Sequence, residues 1–592
     1  MLGSQAPCKP CVAGAAAGSG PSKSLGRSPA AIVVHPLVAV PLGARRLGPD
    51  KGLRRFVSKG STSGAFAKEQ DAVEAGRDYG MQPDTHAVVI GGGVGGLVAA
   101  RALLASGVDR VTQLDKDDLT TRVEGETLLQ SGRRRSGNPQ HLQPHLLLTG
   151  GKNVMEELMP GFIAELEAAG MEQLDIGADA HMWDWGAPYA RGPTSIKAMS
   201  TNRRVLEQCL RDRVLADAGG RLRLRDSTRV AGFLWDEGCR SVLGVRLTTG
   251  EEVQGDVMVD SSGRSSATPR WLRDAGWSAP DVKVVDAHCV YASAHVTHPE
   301  GLPEGRKGLA CWSRPWGRRN ALIFGGETGT WQVILYGYEG DKAPVNSMEG
   351  YLDFAASLPD QTAYRFLQGA TFLTPVMRYV ATSNEQRQYD KVPMPPGLLV
   401  IGDAVQAVDP CYGQGMSVAA MAAKALGQEA GRALAGAPTA EARRTALRSL
   451  SATWQKTLAR SNEPAWLMAT GSDMRFPTAK IEGMSRPPAL MEVYMDGLAR
   501  LMHFDPAAFE AFFLVAYLVK PMSALFSPSL VLKVLWLLLR ERLGLVPLPQ
   551  PPQRAAGAAS RDAASMAAEE AAAASGQASK GMHDVLPTTL EE

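Results

Sequence analysis

Hydrophobic positions in this chain fall into short unbroken runs that end at glycine, and such runs recur hundreds of residues apart. Val88-Val89-Ile90 enters Gly91-Gly92-Gly93-Val94-Gly95-Gly96-Leu97, which predicts a strand, a glycine turn and then a helix over about Gly95 to Ser106. Val111 to Leu114, Val257 to Asp260 and Gly397 to Ile401 are further strand-like runs. Runs with no polar alternation suit strands covered on both faces. Ala321 to Phe324 and Trp331 to Tyr338 flank Gly325-Gly326-Glu327-Thr328-Gly329-Thr330 and read as a hairpin. From Ser417 to residue 545 the pattern is mainly helical, beginning with the small residues of Ser417 to Leu426. Ala511 to Val519 and Leu530 to Leu539 are strongly apolar, but Lys520-Pro521 and Lys533 interrupt them. No run reaches the roughly 18 residues that crossing a bilayer requires. These segments predict either a lid over a cavity or an interfacial helix in peripheral contact with a membrane.

Length and charge refine that picture. At 592 residues the chain has room for two or three domains. Its net charge of +2 hides an asymmetry, because residues 1 to 68 hold ten Lys or Arg and a single acid, Asp50. The basic balance therefore belongs to the leader and does not predict nucleic-acid binding. Residues 1–70, rich in Ala, Gly, Ser, Pro and Arg, read as an organellar transit peptide, for the chloroplast or alternatively the mitochondrion. Cys8 and Cys11 form an isolated C-x-x-C there, without the second ligand pair a metal site needs. Cys209, Cys239, Cys289, Cys311 and Cys411 are scattered and read as reduced thiols. Residues 547–592 open on a proline-rich stretch, become Ala/Glu/Ser-rich and read as a disordered tail.

Chemistry enters with the glycines. Gly91, Gly93 and Gly96 have G-x-G-x-x-G spacing, which supplies a tight turn, close backbone approach to a pyrophosphate and close helix packing. A helix start carrying Val94 and Gly95 offers free amides to the anion. Asp115, after the second strand run, lies at the distance of the acid that holds a ribose hydroxyl. This motif alone serves FAD and NAD equally. The second block, Gly402-Asp403-Ala404 through Pro410 to Gly413-Gln414-Gly415-Met416, separates them. Asp403 can accept hydrogen bonds from ribityl hydroxyls, and the amides at the following helix start can face the N1–C2=O edge of a reduced flavin.

With these motifs the chain resembles the class A flavoprotein monooxygenase superfamily, the para-hydroxybenzoate-hydroxylase-like FAD fold, over roughly residues 84 to 545. The resemblance rests on the G-D-A-x-x-x-x-x-P-x-Y-G-Q-G-M block and on Pro139-Gln140 with His145, Leu147 and Gly150, followed by Leu158-Met159-Pro160-Gly161. Asn462-Glu463-Pro464-Ala465-Trp466 through Asp473 and Arg475 adds a further match. Arg203-Arg204-Val205-Leu206-Glu207 is similar to the R-x-x-L-E helix start, which implies that Arg203 approaches the flavin chain. Asp260 to Ser265 resembles the D-x-x-G-R-x-S segment near the pyrophosphate. Two departures stand out. Gln143-Pro144-His145 replaces an H-x-H pair, and residues 118 to 132 look like an insertion. The expected flavin-contacting arginine is then one of Arg133, Arg134 and Arg135, with Arg135 chosen.

The resulting expectation is an α/β chain with a discontinuous Rossmann-like FAD-binding domain (84–275 and 380–430), an inserted β-sheet substrate domain (280–380) and a C-terminal helical region (431–546). The resemblance implies an oxidoreductase, foremost a monooxygenase using NAD(P)H and O2 on a hydrophobic isoprenoid or aromatic molecule. A reductase, desaturase or cyclase of a prenyl or polyene lipid is the alternative, and a noncatalytic FAD-binding protein the second. No general base is identifiable. His145 reads either as a cavity residue or as a packed, hydrogen-bonded one. Trp183 and Trp185 read as packing, and His288, His295 and His298 as positions on a strand rather than a metal cluster. Substrate identity and oligomeric state are not legible.

Overall fold

The apolar runs assemble into the sheet that carries both glycine turns. In the computed structural model, residues 85–119, 135–140, 143–326 and 329–547 are described. The leader 1–70 with its cysteine pair, Arg133, Arg134 and the tail beyond residue 547 lie outside them. His86–Ile90 (β1), Arg110–Leu114 (β2), Leu222–Arg225 (β3), Val257–Asp260 (β4) and Leu398–Val400 (β5) form a five-stranded parallel sheet in the order β5-β4-β1-β2-β3. Val88, Val89, Met258 and Leu399 are wholly buried, which is why the runs show no polar alternation. The chain leaves β1 to one side for β2 and later returns on the other side as β4. The crevice beyond the C-terminal ends of β1 and β4 is therefore a topological switch point, where open parallel sheets bind ligands.

Helices α1 (Val94–Ala105), α2 (Arg203–Ala218) and α3 (Gly415–Ala435) border that crevice. The helix α1 starts one residue earlier than the sequence pattern predicts, and α3 runs on past Leu426 to Ala435. A Cβ on Gly427 would lie 2.9 Å from the Ala102 carbonyl, and one on Gly95 would lie 3.3 Å from the Ala419 methyl. Small residues thus let α1 and α3 pack backbone to backbone. On α2, the Asn202 side chain accepts from the Arg204 amide and caps the helix.

An eight-stranded sheet forms the second layer, with Val290–Thr297, Thr330–Gly337 and Arg319–Gly325 at its centre. The predicted hairpin is present as an antiparallel pair in the register Ala321↔Leu335 and Ile323↔Val333. Two details differ from the domain limits read in the sequence. Ala180–Asp184 and Ala187–Pro188, which fall within 84–275, join the sheet of 280–380 through a parallel pairing of Ala180–Asp184 with Gly308–Cys311. Lys480–Glu482, within the stretch expected to be helical, pairs with Val282–Asp286. Both insertions are strands of five residues or fewer, too short to carry a readable alternation. The rest of 431–547 is mainly helical, including Ser451–Asp473 (α4) and Pro528–Arg542 (α5). No helix among the described residues is long and apolar enough to cross a membrane.

Candidate functional site

A single cavity of about 880 Å³ runs from the glycine turn after β1 to the inner face of the eight-stranded sheet. At its first end, Gly91 has φ +111°, and a Cβ there would sit 2.4 Å from the Ser261 carbonyl. Gly93 is different: its added Cβ would meet nothing nearer than Glu207 Oε1 at 3.8 Å, so backbone is presented to open space. Gly91, Gly93, Val94 and Gly95 line the cavity, beside the first-turn amides of α1 that helix geometry leaves without partners. Gly96 does not line it. A Cβ there would fall 2.0 Å from the Gly91 carbonyl, so its part is to close the turn.

Behind this turn lies a compensated ion cluster. Asp115 Oδ2 accepts from the Gly92 amide at 2.6 Å and from Arg135 Nη2 at 3.1 Å. Arg135 also pairs with Glu207 and lies 3.7 Å from Asp117, while Arg203 Nε donates to Glu207 at 2.7 Å. Burial alone would push the Glu207 carboxyl up, yet Arg203 and Arg135 hold it below its ordinary range. Burial likewise opposes the Arg135 charge, but Glu207 and Asp115 outweigh it and raise its pKa. Asp115, Arg135 and Arg203 all line the cavity. Asp260 does not. Its carboxylate is 1% exposed and accepts from the Ser262 amide (2.9 Å) and hydroxyl (2.6 Å), from Ser266 and from Thr268 Oγ1 (2.6 Å). Asp260, expected as a cofactor contact, thus stands behind the cavity wall and holds the loop whose Ser261 to Ser265 face the cavity.

The second glycine block supplies the other wall. Gly402 and Gly413 have φ of +61° and +65°, and with Asp403, Pro410, Gly415 and Met416 they line the same cavity. The Asp403 carboxylate accepts no hydrogen bond from a described residue. Burial pushes its pKa up, offset only in part by Arg264, Arg203 and Arg387. The Gln414 side chain is turned away from the cavity, and its Nε2 donates to the Ala516 carbonyl at 3.2 Å. It ties α3 to the C-terminal helices instead. Open backbone at Gly93, free amides at two helix starts and an unpartnered carboxylate between them fit an extended dinucleotide with a hydroxyl-bearing chain.

Residues that the sequence did not point to close the far end of the cavity. Tyr291, Tyr379, Ile334 and Leu146 line it. Tyr291 stacks on Tyr379 at 6.2 Å and meets Tyr336 edge-on at 5.5 Å. Beneath them Asp409 Oδ1 accepts from the Tyr291 hydroxyl and from the Cys411 amide at 3.0 Å. The Asp409 amide donates to Asn384 Oδ1 at 2.8 Å, and Asn384 Nδ2 donates to Asp473, which also accepts from Tyr412. Asp409 stands directly before Pro410 in the second glycine block, Tyr412 lies inside that block and Asp473 belongs to the Asn462 to Arg475 match, whereas Tyr291 and Asn384 carry no such signal.

His145 combines both of its sequence alternatives. It lines the cavity and its Nδ1 contacts the Gln143 carbonyl at 2.7 Å, while burial and then Arg203 push its pKa down to about 3. Trp185 is packed between Arg500 (5.0 Å) and Trp316 (6.2 Å), and His298 stacks on Phe366. No group of three metal-ligating side chains occurs among the described residues.

No protein-family model matches the chain. Protein Rv3254 of Mycobacterium tuberculosis is 28% identical over 422 residues, spanning 68% of this chain and 83% of that protein. Among solved structures, the flavoprotein/dehydrogenase from Cytophaga hutchinsonii superposes with a TM-score of 0.51 at 14% identity, over 78% of this chain and all of that one. That likeness shows a shared fold: mixed α/β, with a parallel sheet and several helices, as in a flavoprotein.

Proposed function

We propose that this chain is an FAD-dependent oxidoreductase of the class A flavoprotein monooxygenase superfamily, using NAD(P)H and O2 to oxygenate a hydrophobic small molecule. Asp403 carries the proposal. A carboxylate facing a cavity with no partner is costly, and a chain of ribityl hydroxyls supplies the missing donors. FAD, when bound, would supply the redox chemistry, and the protein would bind, orient and shield it. Gly93 and the first amides of α1 would hold the pyrophosphate, and the start of α3 would face the ring edge. The aromatic and aliphatic lining at Tyr291, Tyr379, Ile334 and Leu146 leaves a mainly apolar space beyond, which favours a lipophilic or aromatic substrate. Peripheral contact with a membrane belongs to the same proposal, because Leu532, Leu535 and Trp536 are more than half exposed along α5 and Leu539 is nearly so.

Purified full-length protein tests this. Flavin released by heat and identified by chromatography should be FAD; FMN, or no flavin after reconstitution, overturns the proposal. NADPH oxidation matched by O2 uptake supports oxygenation. NADPH oxidation with a reduced lipid product and no O2 uptake favours the prenyl or polyene reductase instead.

A further inference from the structure

A second hollow, sharing no residue with the cofactor cavity, opens among the C-terminal helices. It lies between the end of the helix Ala489–Leu501 and α5 and encloses about 420 Å³, within the range of small-ligand sites. The two helices are held close beside it. A Cβ on Gly497 would lie 2.8 Å from Val534 Cγ1, and Arg500 Nε and Nη2 donate to the two carboxylate oxygens of Glu541 at 2.8 and 2.9 Å. Leu501 and Leu537 are buried and give the hollow an apolar floor, whereas Phe504 (71% exposed) and Trp536 stand at its rim. Aromatic rings at the rim of an apolar hollow suit the boundary between water and lipid.

Charge around the hollow is unbalanced. Glu541 is committed to Arg500, and Asp505 Oδ2 accepts from Lys533 Nζ at 2.5 Å. Arg540 lines the hollow and Arg542 follows on α5; neither has an ion-pair partner among the described residues. Arg500, Lys533, Arg540 and Arg542 against Asp505 and Glu541 leave two positive charges in excess. A second copy of the chain on this face would set the same cations against one another across a two-fold axis. An anionic headgroup neutralises them instead.

We propose that this hollow takes up one acyl chain of an anionic membrane lipid, with the headgroup held at Arg540. The lipid source rests on the proposed membrane contact: Leu535 of the outward stripe adjoins Trp536 of the rim, so a chain leaving the bilayer at the stripe enters the hollow without crossing water. Partition of the stripe alone gives no fixed stoichiometry. The hollow adds a saturable site for one lipid per chain.

The probe is lysophosphatidic acid, one acyl chain with a phosphate head, titrated below its micelle concentration into full-length protein and followed by calorimetry. Saturable binding at one site is expected, and lysophosphatidylcholine, which carries no net charge, should bind more weakly. Arg540→Gln should weaken lysophosphatidic acid about fivefold, the worth of one basic residue at an anionic lipid surface. Val546→Trp, at a lining position beyond the end of α5, should fill the hollow and abolish uptake. Leu490→Ser, exposed on the neighbouring helix and outside the hollow, should change nothing. Melting temperature and flavin content monitor folding of every variant. Flotation of the wild type with anionic vesicles but no binding of the monomeric probe overturns the site and leaves the membrane contact standing. Binding of the probe without flotation makes the occupant a free amphiphile and overturns the bilayer lipid. Equal binding of both probes, or unchanged binding in Val546→Trp, also overturns the site. A dimer that Phe504→Ser dissociates, with no binding of either probe, gives the hollow to a second copy of the chain and overturns the lipid.

Discussion

The two ends of the cavity treat buried charge in opposite ways. At the nucleotide end, Asp115, Arg135, Glu207 and Arg203 pair with one another, although Arg135 Nε keeps no hydrogen-bond partner among the described residues, and the Glu207 carboxyl is held below its ordinary pKa by its two arginines despite burial. At the sheet end, Asp409 and Asp473 are both pushed up by burial, and one oxygen of Asp409 has no partner among the described residues. Matched charge builds a rigid wall against which a ligand can be placed. Unmatched carboxylates are groups whose protonation changes when a ligand or a proton arrives. The difference sets a wall of paired charge at one end of the cavity against raised carboxylates packed behind its aromatic end.

The harshest way to break this comparison is at the nucleotide end. Gly93→Val puts a side chain into the open space the backbone faces, and should abolish flavin retention in purified protein while leaving the fold intact. Next in size is the ion cluster. Glu207→Ala leaves Arg135 and Arg203 without their shared partner, and losing one side of a buried pair costs about 3–5 kcal/mol. A large drop in urea midpoint is expected, with Glu207→Gln intermediate. A variant as stable as the wild type would show that the cluster is not a structural wall.

Asp403→Ala sharpens the contrast because it should do the reverse. Removing an unpartnered carboxylate should leave stability unchanged or raised. FAD affinity, by contrast, should fall about 10- to 100-fold, the equivalent of about 1.5–3 kcal/mol for a charge-assisted hydrogen bond. Equilibrium flavin titration checks the second half, and unaltered affinity would remove Asp403 from the site. A smaller effect concerns pH. Asp409 titrates near 6 in the folded chain and near 4 unfolded, so between those values the native state binds more protons. Stability should therefore fall as pH rises from about 4 to about 6, then level off. Asp409→Asn should remove that fall, read as the change with pH in the difference between the two urea midpoints.

Legibility in the sequence follows the same division. The nucleotide end depends on backbone conformation, and backbone demands leave glycine at fixed spacing, so Gly91, Gly93 and Gly96 are readable from the order of residues alone. Asp403 is legible because it belongs to such a block. The sheet end depends on side chains that meet only through tertiary pairing. Tyr291, Asn384, Asp409 and Asp473 lie on four separated segments; motif blocks touch Asp409 and Asp473, but nothing local shows that the four meet. Asp260 shows the converse. By its motif it reads as a ligand contact, whereas its four accepted hydrogen bonds all go to its own loop. Spacing identifies the loop; only the bonding shows which of its residues face the cavity. The short strands at 180–188 and 480–482 are hidden for a related reason, since pairing with distant partners, not propensity, makes them strands.

The smallest expected effect carries the comparison to the outer surface. Gln414 of α3 bonds to Ala516, and the Gly150 amide bonds to Tyr517, so the C-terminal helices stand behind the second glycine block rather than the first. On α5, Leu530, Val534 and Leu537 are buried, whereas Leu532 (66% exposed), Leu535 (52%), Trp536 (59%) and Leu539 (46%) face outward. A lid would turn one apolar stripe inward and leave a polar outer face. Here an apolar stripe is left outside as well, with Trp536 beside Arg540, and Arg542 and Lys533 nearby. Apolar side chains flanked by cations suit the boundary of an anionic bilayer. Flotation of the full-length protein with phosphatidylserine-containing vesicles should show weak, salt-sensitive association. Leu535→Glu and Trp536→Glu, both on the outward face, should lower it with flavin content unchanged. Loss of flotation together with flavin would mean that the stripe supports the fold. No flotation of the wild type would confine the asymmetry to the cavity and end the membrane proposal.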